Sequence, residues 1–295
     1  MLYSLLLRNP ILILLALAIS SFVTPRLFAE EPAPSLTFLQ SYDIRDEPAG
    51  LLEPSGAALC QDGKSLWTIS DKTKRIYRLD LTGKIEQHKH FQNVPKGLEG
   101  ICLSSDGNSL FTVDEDNNRI LKFDIESGER IATIKLSDIA GYKAIEGYFD
   151  ASIKNKGLEG ITLNCQAGSL LVVKEGKPGL LIEVSEDLKQ IRGHLLLNEE
   201  SGFIDDNLEQ ARMDFSGLWY DERRDSLWIV SDQARRLFWL DLGTKKVRHS
   251  YALSYARKGK YREIDQAEGI THDPETHRLY IISDREAKLY VYDLR

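Results

Sequence analysis

Residues 97–124 read GLEGICLSSDGNSLFTVDEDNNRILKFD, and variants of this stretch recur four more times along the chain. The five copies open with EPSGAAL (53–59), GLEGICL (97–103), GLEGITL (157–163), DFSGLWY (214–220) and QAEGITH (266–272). A second acid stands fifteen positions after the motif glycine in every copy: Gly56 with Asp71, Gly100 with Glu115, Gly160 with Glu175, Gly217 with Asp232, Gly269 with Asp284. Self-similarity at fixed spacing marks a repeat architecture in which each copy is one supersecondary unit.

Within each copy apolar and polar residues alternate at period two, the pattern of half-buried strands, with turn residues at fixed places. The second copy predicts strands at 101–104, 109–113, 119–124 and 130–136, separated by turns at 105–108, 116–118 and 127–128. Four antiparallel strands in a meander are one blade of a β-propeller. Outer strands are expected at 84–91, 190–197 and 246–253, while the fifth copy stops at its third strand, LYVYDLR. The missing strand is at the other end of the chain, where 35–44 (SLTFLQSYDI) can pair beside 289–294 and close the ring. Motif glycines follow one another at steps of 44, 60, 57 and 52, and the residues after Gly269 with those from Glu30 to Gly56 make a comparable 53. The expected fold is all-β: a five-bladed propeller of four-stranded antiparallel blades over 36–295, its N-terminal strand closing the last blade and removing exposed sheet edges. A sixth blade would have to lie in 136–157 or 197–214, which carry no copy of the repeat.

Before the repeats, Arg8 precedes an apolar run over 11–23, and Ala29 is followed by Glu30 and Glu31. Residues 1–29 therefore read as a secretory signal cut after Ala29 or as an uncleaved membrane anchor, and 30–35 as a short stiff linker. Loss of 1–29 removes two arginines and no acid, taking the formal charge from −7 to −9. That excess of acid disfavours nucleic acid and anionic membrane surfaces as partners and suits cations.

Three cysteines, Cys60, Cys102 and Cys165, follow motif glycines and are expected as small buried residues of the blade cores. His88, His90, His194 and His249 fall on outer strands facing solvent, so no zinc ligand set is apparent. No nucleophile elbow, phosphate loop or dinucleotide fingerprint is present, and DFSGLW belongs to the repeat. Trp67, Trp219, Trp228 and Phe111 read as blade packing, and RKGKYR (257–262) as a solvated loop.

Residues equidistant from a hairpin turn face each other, so the position before each motif glycine and the acid sixteen residues later lie at the same end of a blade. Five blades then gather both sets at one mouth of the ring. Where serine precedes the glycine, an acid stands two residues earlier (Glu53 with Ser55, Asp214 with Ser216), so each motif brings one carboxylate: Glu53, Glu99, Glu159, Asp214 and Glu268. Like charges around a narrow mouth raise one another's pKa unless a cation neutralises them, and Ca²⁺ tolerates many oxygen ligands in irregular geometry. The candidate metal ligands are Glu99, Glu159 and Glu268, with Glu115, Glu175, Glu53 and Asp214. The second-strand acids have a structural alternative as turn caps, above all Asp71, Asp232 and Asp284 in TISD, IVSD and IISD.

The GLEGI motifs at Gly97 and Gly157, EPSGAAL at Glu53, the LWTISD and LWIVSD strands and the hydrophobic N-terminus resemble the SdiA-regulated (YjiK/CarP-type) family, whose short motifs are partly shared with NHL-like and phytase-like propellers. The resemblance implies a five-bladed calcium-binding propeller of the bacterial cell envelope, in the periplasm or at the membrane, with its glutamates carried onto Glu99, Glu159 and Glu268. Two functions follow as expectations. One is an exported calcium-binding module that scaffolds or binds an unidentified small molecule or protein at its acidic face, linked to calcium handling. The other is a calcium-dependent hydrolase, phytase-like or a lactonase or esterase, which would need cations for its substrate such as Lys96, Lys156, Lys174 or Arg212.

Overall fold

A computed structural model of the chain describes residues 32–86, 90–150, 152 and 156–295. The expected signal or anchor, the first residues of the linker and His88 lie outside these. The first blade comprises β2 (Pro54–Leu59), β3 (Ser65–Ser70) and β4 (Ile76–Asp80), and β1 (Leu36–Asp43) precedes it. The second holds β5 (Leu98–Leu103), β6 (Ser109–Asp114), β7 (Arg119–Asp124) and β8 (Arg130–Lys135). The third holds β9 (Leu158–Asn164), β10 (Ser169–Lys174), β11 (Leu180–Ser185) and β12 (Ile191–Leu196). The fourth holds β13 (Leu218–Asp221), β14 (Ser226–Ser231), β15 (Arg236–Asp241) and β16 (Lys246–Ala252). A hairpin of β17 (Ser254–Arg257) and β18 (Lys260–Glu263) leads to β19 (Ala267–Asp273), β20 (Arg278–Ser283) and β21 (Lys288–Leu294) of the fifth.

Ring closure follows the predicted pairing. β1 runs antiparallel to β21 with Leu36 opposite Leu294 and Asp43 opposite Lys288, giving the sheet order β1-β21-β20-β19. The residue that ends the chain, Arg295, donates its N–H to the Ser35 carbonyl at 3.0 Å.

Five buried clusters account for the core, one between each pair of neighbouring blades. Phe111 and Val113 of β6 point toward Leu170 and Val172 of β10, while Leu110 of β6 packs with Trp67 and Ile69 of β3. Leu171 and Val173 meet Leu227 and Ile229, Trp228 and Val230 meet Leu279 and Ile281, and Tyr280 and Ile282 meet Leu66 and Leu79 to complete the circuit. Alternate residues of one strand thus serve two different cores. For this reason β3, β6, β10 and β14 are buried along their whole length rather than half-buried. The period-two alternation survives as large apolar residues interspersed with small hydroxyls such as Thr68, whose Oγ1 donates to the Gly56 carbonyl at 2.8 Å.

Three expectations are corrected. The outer strand at 84–91 is reduced, among the described residues, to a bridge between Leu79 and Ile85 flanked by Asp80 N–H to Lys84 O and Glu86 N–H to Arg78 O, each 2.8 Å. Asp80 caps the tight turn at Thr82–Lys84. RKGKYR is the tip and return of the β17–β18 hairpin rather than a loop, with Tyr261 85% exposed. Cys60 and Cys102 are buried as expected, but Cys165 is exposed because β9 ends at Asn164 and Cys165 opens the turn. Among the described residues of 136–157 there are three short 3-10 turns and no strand of a sixth blade.

Candidate metal centre

The first strand of each blade starts at the hub, and the motif glycine is what lets the strands meet there. A Cβ on Gly56 would lie 2.9 Å from the Glu99 carbonyl oxygen, one on Gly100 2.6 Å from that of Glu159, and one on Gly269 2.5 Å from that of Ser55. Gly160 approaches the Ser216 carbonyl and Gly217 the Glu268 carbonyl in the same way, so the ring of contacts closes through all five blades. Only glycine permits such backbone proximity. The central cavity between these strands is about 10 Å³, room for a single water-sized particle, with Glu99 and Glu268 in its lining.

Three of the second-strand acids are held beside their motifs by the same hairpin bond. The backbone N–H of Glu115, Glu175 and Asp284 donates to the carbonyl of Gly97, Gly157 and Gln266 at 3.3, 3.0 and 2.9 Å. Two rows of carboxylates therefore share one end of the ring, as the hairpin geometry predicts. They are partly buried, and their charges are felt across blade boundaries. Burial, then Glu99, Glu175, Glu268 and Glu115, hold the Glu159 carboxyl well above the usual carboxylate range. Burial and Asp284, Glu99, Asp232 and Asp71 do the same to Glu268. Glu99 is pushed up to about 8, mainly by burial and Asp71, against a hydrogen bond from Ser55. Glu175 and Asp284 rise to about 7 and Asp232 to about 6, burial being the first cause in each.

Within this crown three carboxylates converge. Glu115, Glu159 and Glu175 each offer an oxygen, and these oxygens all lie within 4.8 Å of one another. Oxygens bound to Ca²⁺ at about 2.3–2.6 Å span up to that separation across the ion. An all-carboxylate set suits a hard cation and offers nothing to a soft one. Lys156 Nζ pairs with Glu175 Oε1, and the Gly157 N–H reaches Glu115 Oε1 at 3.4 Å. At the junction of the first and fifth blades, Asp71 Oδ1 and Asp284 Oδ1 are buried with no hydrogen-bond partner among the described residues.

The other sequence candidates separate. Glu99 and Glu268 stand beside the triad at the hub. Asp214 is turned into its own blade, accepting from Ser231 Oγ at 3.0 Å and Gln233 N–H at 2.9 Å. Glu53 pairs with Lys72 Nζ at 3.1 Å, 42% exposed. The capping alternative for Asp232 and Asp284 gives way to the serine before each: Ser231 Oγ accepts the Ala234 N–H at 3.2 Å and Ser283 Oγ the Glu286 N–H at 3.1 Å. Lys174 is engaged with the Gly176 and Pro178 carbonyls and lies over the Phe149 ring, and burial lowers its pKa to about 8. Lys96 is exposed.

A family model described as SdiA-regulated matches residues 43–292. No curated protein matches the chain. Among solved structures, Myxococcus xanthus glutaminyl cyclase is similar at 13% identity and a TM-score of 0.60, the match covering 90% of this chain and 98% of that one. Kuenenia stuttgartiensis hydrazine synthase matches at 13% identity and a TM-score of 0.44, over 79% of this chain and 56% of that one. The Cps50 (Swd1) β-propeller domain of Myceliophteria thermophila matches at 13% identity and a TM-score of 0.45, over 78% of this chain and 62% of that one. Likeness at this identity concerns the fold alone.

Proposed function

The chain belongs to the SdiA-regulated family, and from that premise we propose that it is a calcium-binding propeller of the bacterial cell envelope, a binding or scaffold module linked to calcium handling. The observation that carries the reading is the convergence of Glu115, Glu159 and Glu175. With no cation between them, three carboxylates at this separation repel one another, and burial with that repulsion raises all three above the usual carboxylate range; a divalent cation relieves both costs. The ion would sit between the second and third blades, beside the axis rather than on it, tying Glu115 of one blade to Glu159 and Glu175 of the next. Export rests on the apolar run at 11–23.

Hydrolysis is the weaker reading. The hub cavity of about 10 Å³ admits no ester substrate, and Lys174 is committed to backbone carbonyls.

Melting the domain in chelator, calcium and magnesium tests the proposal. Calcium is expected to raise the melting temperature of the wild type and to leave Glu99→Gln/Glu159→Gln unchanged. An equal rise in both proteins would reject the ligand assignment. Turnover of a phosphate ester or a lactone that needs calcium and Glu159 would favour the hydrolase.

A further inference from the structure

Two of the segments without a counterpart in the repeat are 197–214, ahead of the fourth blade, and the β17–β18 hairpin, ahead of the fifth. Insertions in repeat folds map to loops on one face, often the binding face. Here both help to wall a cleft of about 470 Å³ between the fourth and fifth blades. Asp205 and Arg212 come from the first insertion and Glu263 from the second; Asp232 and Arg285 come from the blade turns at the acidic end. The volume is that of a small-molecule site, but the walls are charged and amide-bearing where such sites are usually apolar.

Most of those charges are already matched. Arg235 pairs with Glu263, Arg236 Nε reaches Asp205 Oδ2 at 2.5 Å, and Arg285 Nε is 3.4 Å from Asp265 Oδ2. Two are not. Arg212, exposed at the end of the 3-10 turn Gln210–Arg212, enters no ion pair among the described residues. Asp232 is met by the Gln233 amide at 3.0 Å and likewise by no ion pair. Gln266, also in the wall, holds φ 47, the left-handed region that Gly97 (φ 73) occupies in the second copy. A non-glycine residue there is strained, and such strain clusters at ligand sites.

We propose that this cleft binds a small zwitterion of the amino-acid or dipeptide class, its carboxylate on Arg212 and its ammonium on Asp232. One group of each sign is left open, and a guanidinium fork matches a carboxylate with two parallel hydrogen bonds. A simple anion would have to approach the acidic crown, and a simple cation would leave Arg212 unmet. A molecule with no net charge satisfies both ends.

Calorimetry with the chelated domain tests this, using glycylglycine and L-alanine as probes and propionate and propylamine as single-headed controls. At least one zwitterion is expected to bind saturably, with both controls weaker by about tenfold or more. Arg212→Ala should weaken binding by about tenfold, and Arg212→Lys should restore part of it; both exposed-site variants should melt as the wild type does. Equal binding of either control, no heat from either zwitterion at millimolar concentration, or unchanged affinity in Arg212→Ala would overturn the assignment. Because chelator is present throughout, the result is independent of the calcium reading.

Discussion

Gly100 packs so closely on the peptide carbonyl of Glu159 that a Cβ on the glycine would sit 2.6 Å from the oxygen. One contact thus fixes the spacing of the second and third blades and the placement of a candidate ligand. Gly100→Ala forces the hub apart and is expected to destabilise the domain by about 1–3 kcal/mol or more. Gly147→Ala, where a Cβ meets nothing within 4 Å, is the control and should be close to neutral. Urea unfolding of the two variants makes the comparison, and equal stabilities would show that the hub glycines are not needed for close approach.

The carboxylate crown gives stability an unusual pH dependence in chelator. Glu99 is raised to about 8, Glu175 and Asp284 to about 7 and Asp232 to about 6. A folded pKa above the unfolded value means that the folded state holds protons more tightly. Its contribution is full below about pH 4 and is lost as pH rises through the folded values. Melting temperature in chelator should therefore fall between pH 5 and 8, and calcium should flatten the curve. Buried His272, lowered to about 4, acts the other way: it costs stability as pH falls from the usual histidine range toward 4. Glu99→Gln should reduce the upper-pH loss; a variant curve parallel to the wild type would contradict the assignment.

Thiol titration distinguishes the three cysteines. Cys165 is exposed, its thiol raised by partial burial and Glu222, whereas Cys60 and Cys102 are buried and burial raises both thiols, Cys60 to about 12. The native protein should react at one thiol with a disulfide reagent and at all three only when denatured. Fast reaction in a Cys165→Ser variant would refute this.

Removing residues through Asp43 takes β1 from β21 and leaves an open sheet edge beside the core that Leu36 and Phe38 partly cover. The loss should reach several kcal/mol, a large part of the stability of an ordinary domain, with aggregation at moderate concentration. A soluble truncated domain with wild-type melting would show that closure by β1 is dispensable.

The blade plan could be read from the chain because each motif glycine and its distant acid recur at one spacing, and because LYVYDLR lacked a partner that SLTFLQSYDI could supply. The outer strand of the first blade could not, since alternation at 84–91 resembles that of the other copies and does not report that, among the described residues, only a bridge between Leu79 and Ile85 forms. The site was partly visible. Glu99, Glu115, Glu159, Glu175 and Glu268 meet at one mouth because the hairpin places them there. Asp214 and Glu53 share their charge but not their direction: serine and backbone donors claim the first, and Lys72 the second. The Arg212 cleft was missed because it is made by two insertions, whose only signal was the excess length of 197–214 and the basic run at 257–262.

Calcium bound per chain at equilibrium, measured by dialysis on wild type and on Glu115→Gln/Glu175→Gln, tests the central claim most directly. The wild type should retain calcium saturably and the variant, folded by circular dichroism, should lose that site. Undiminished calcium in the variant, or none in the wild type, would contradict the assignment of the ion to Glu115, Glu159 and Glu175.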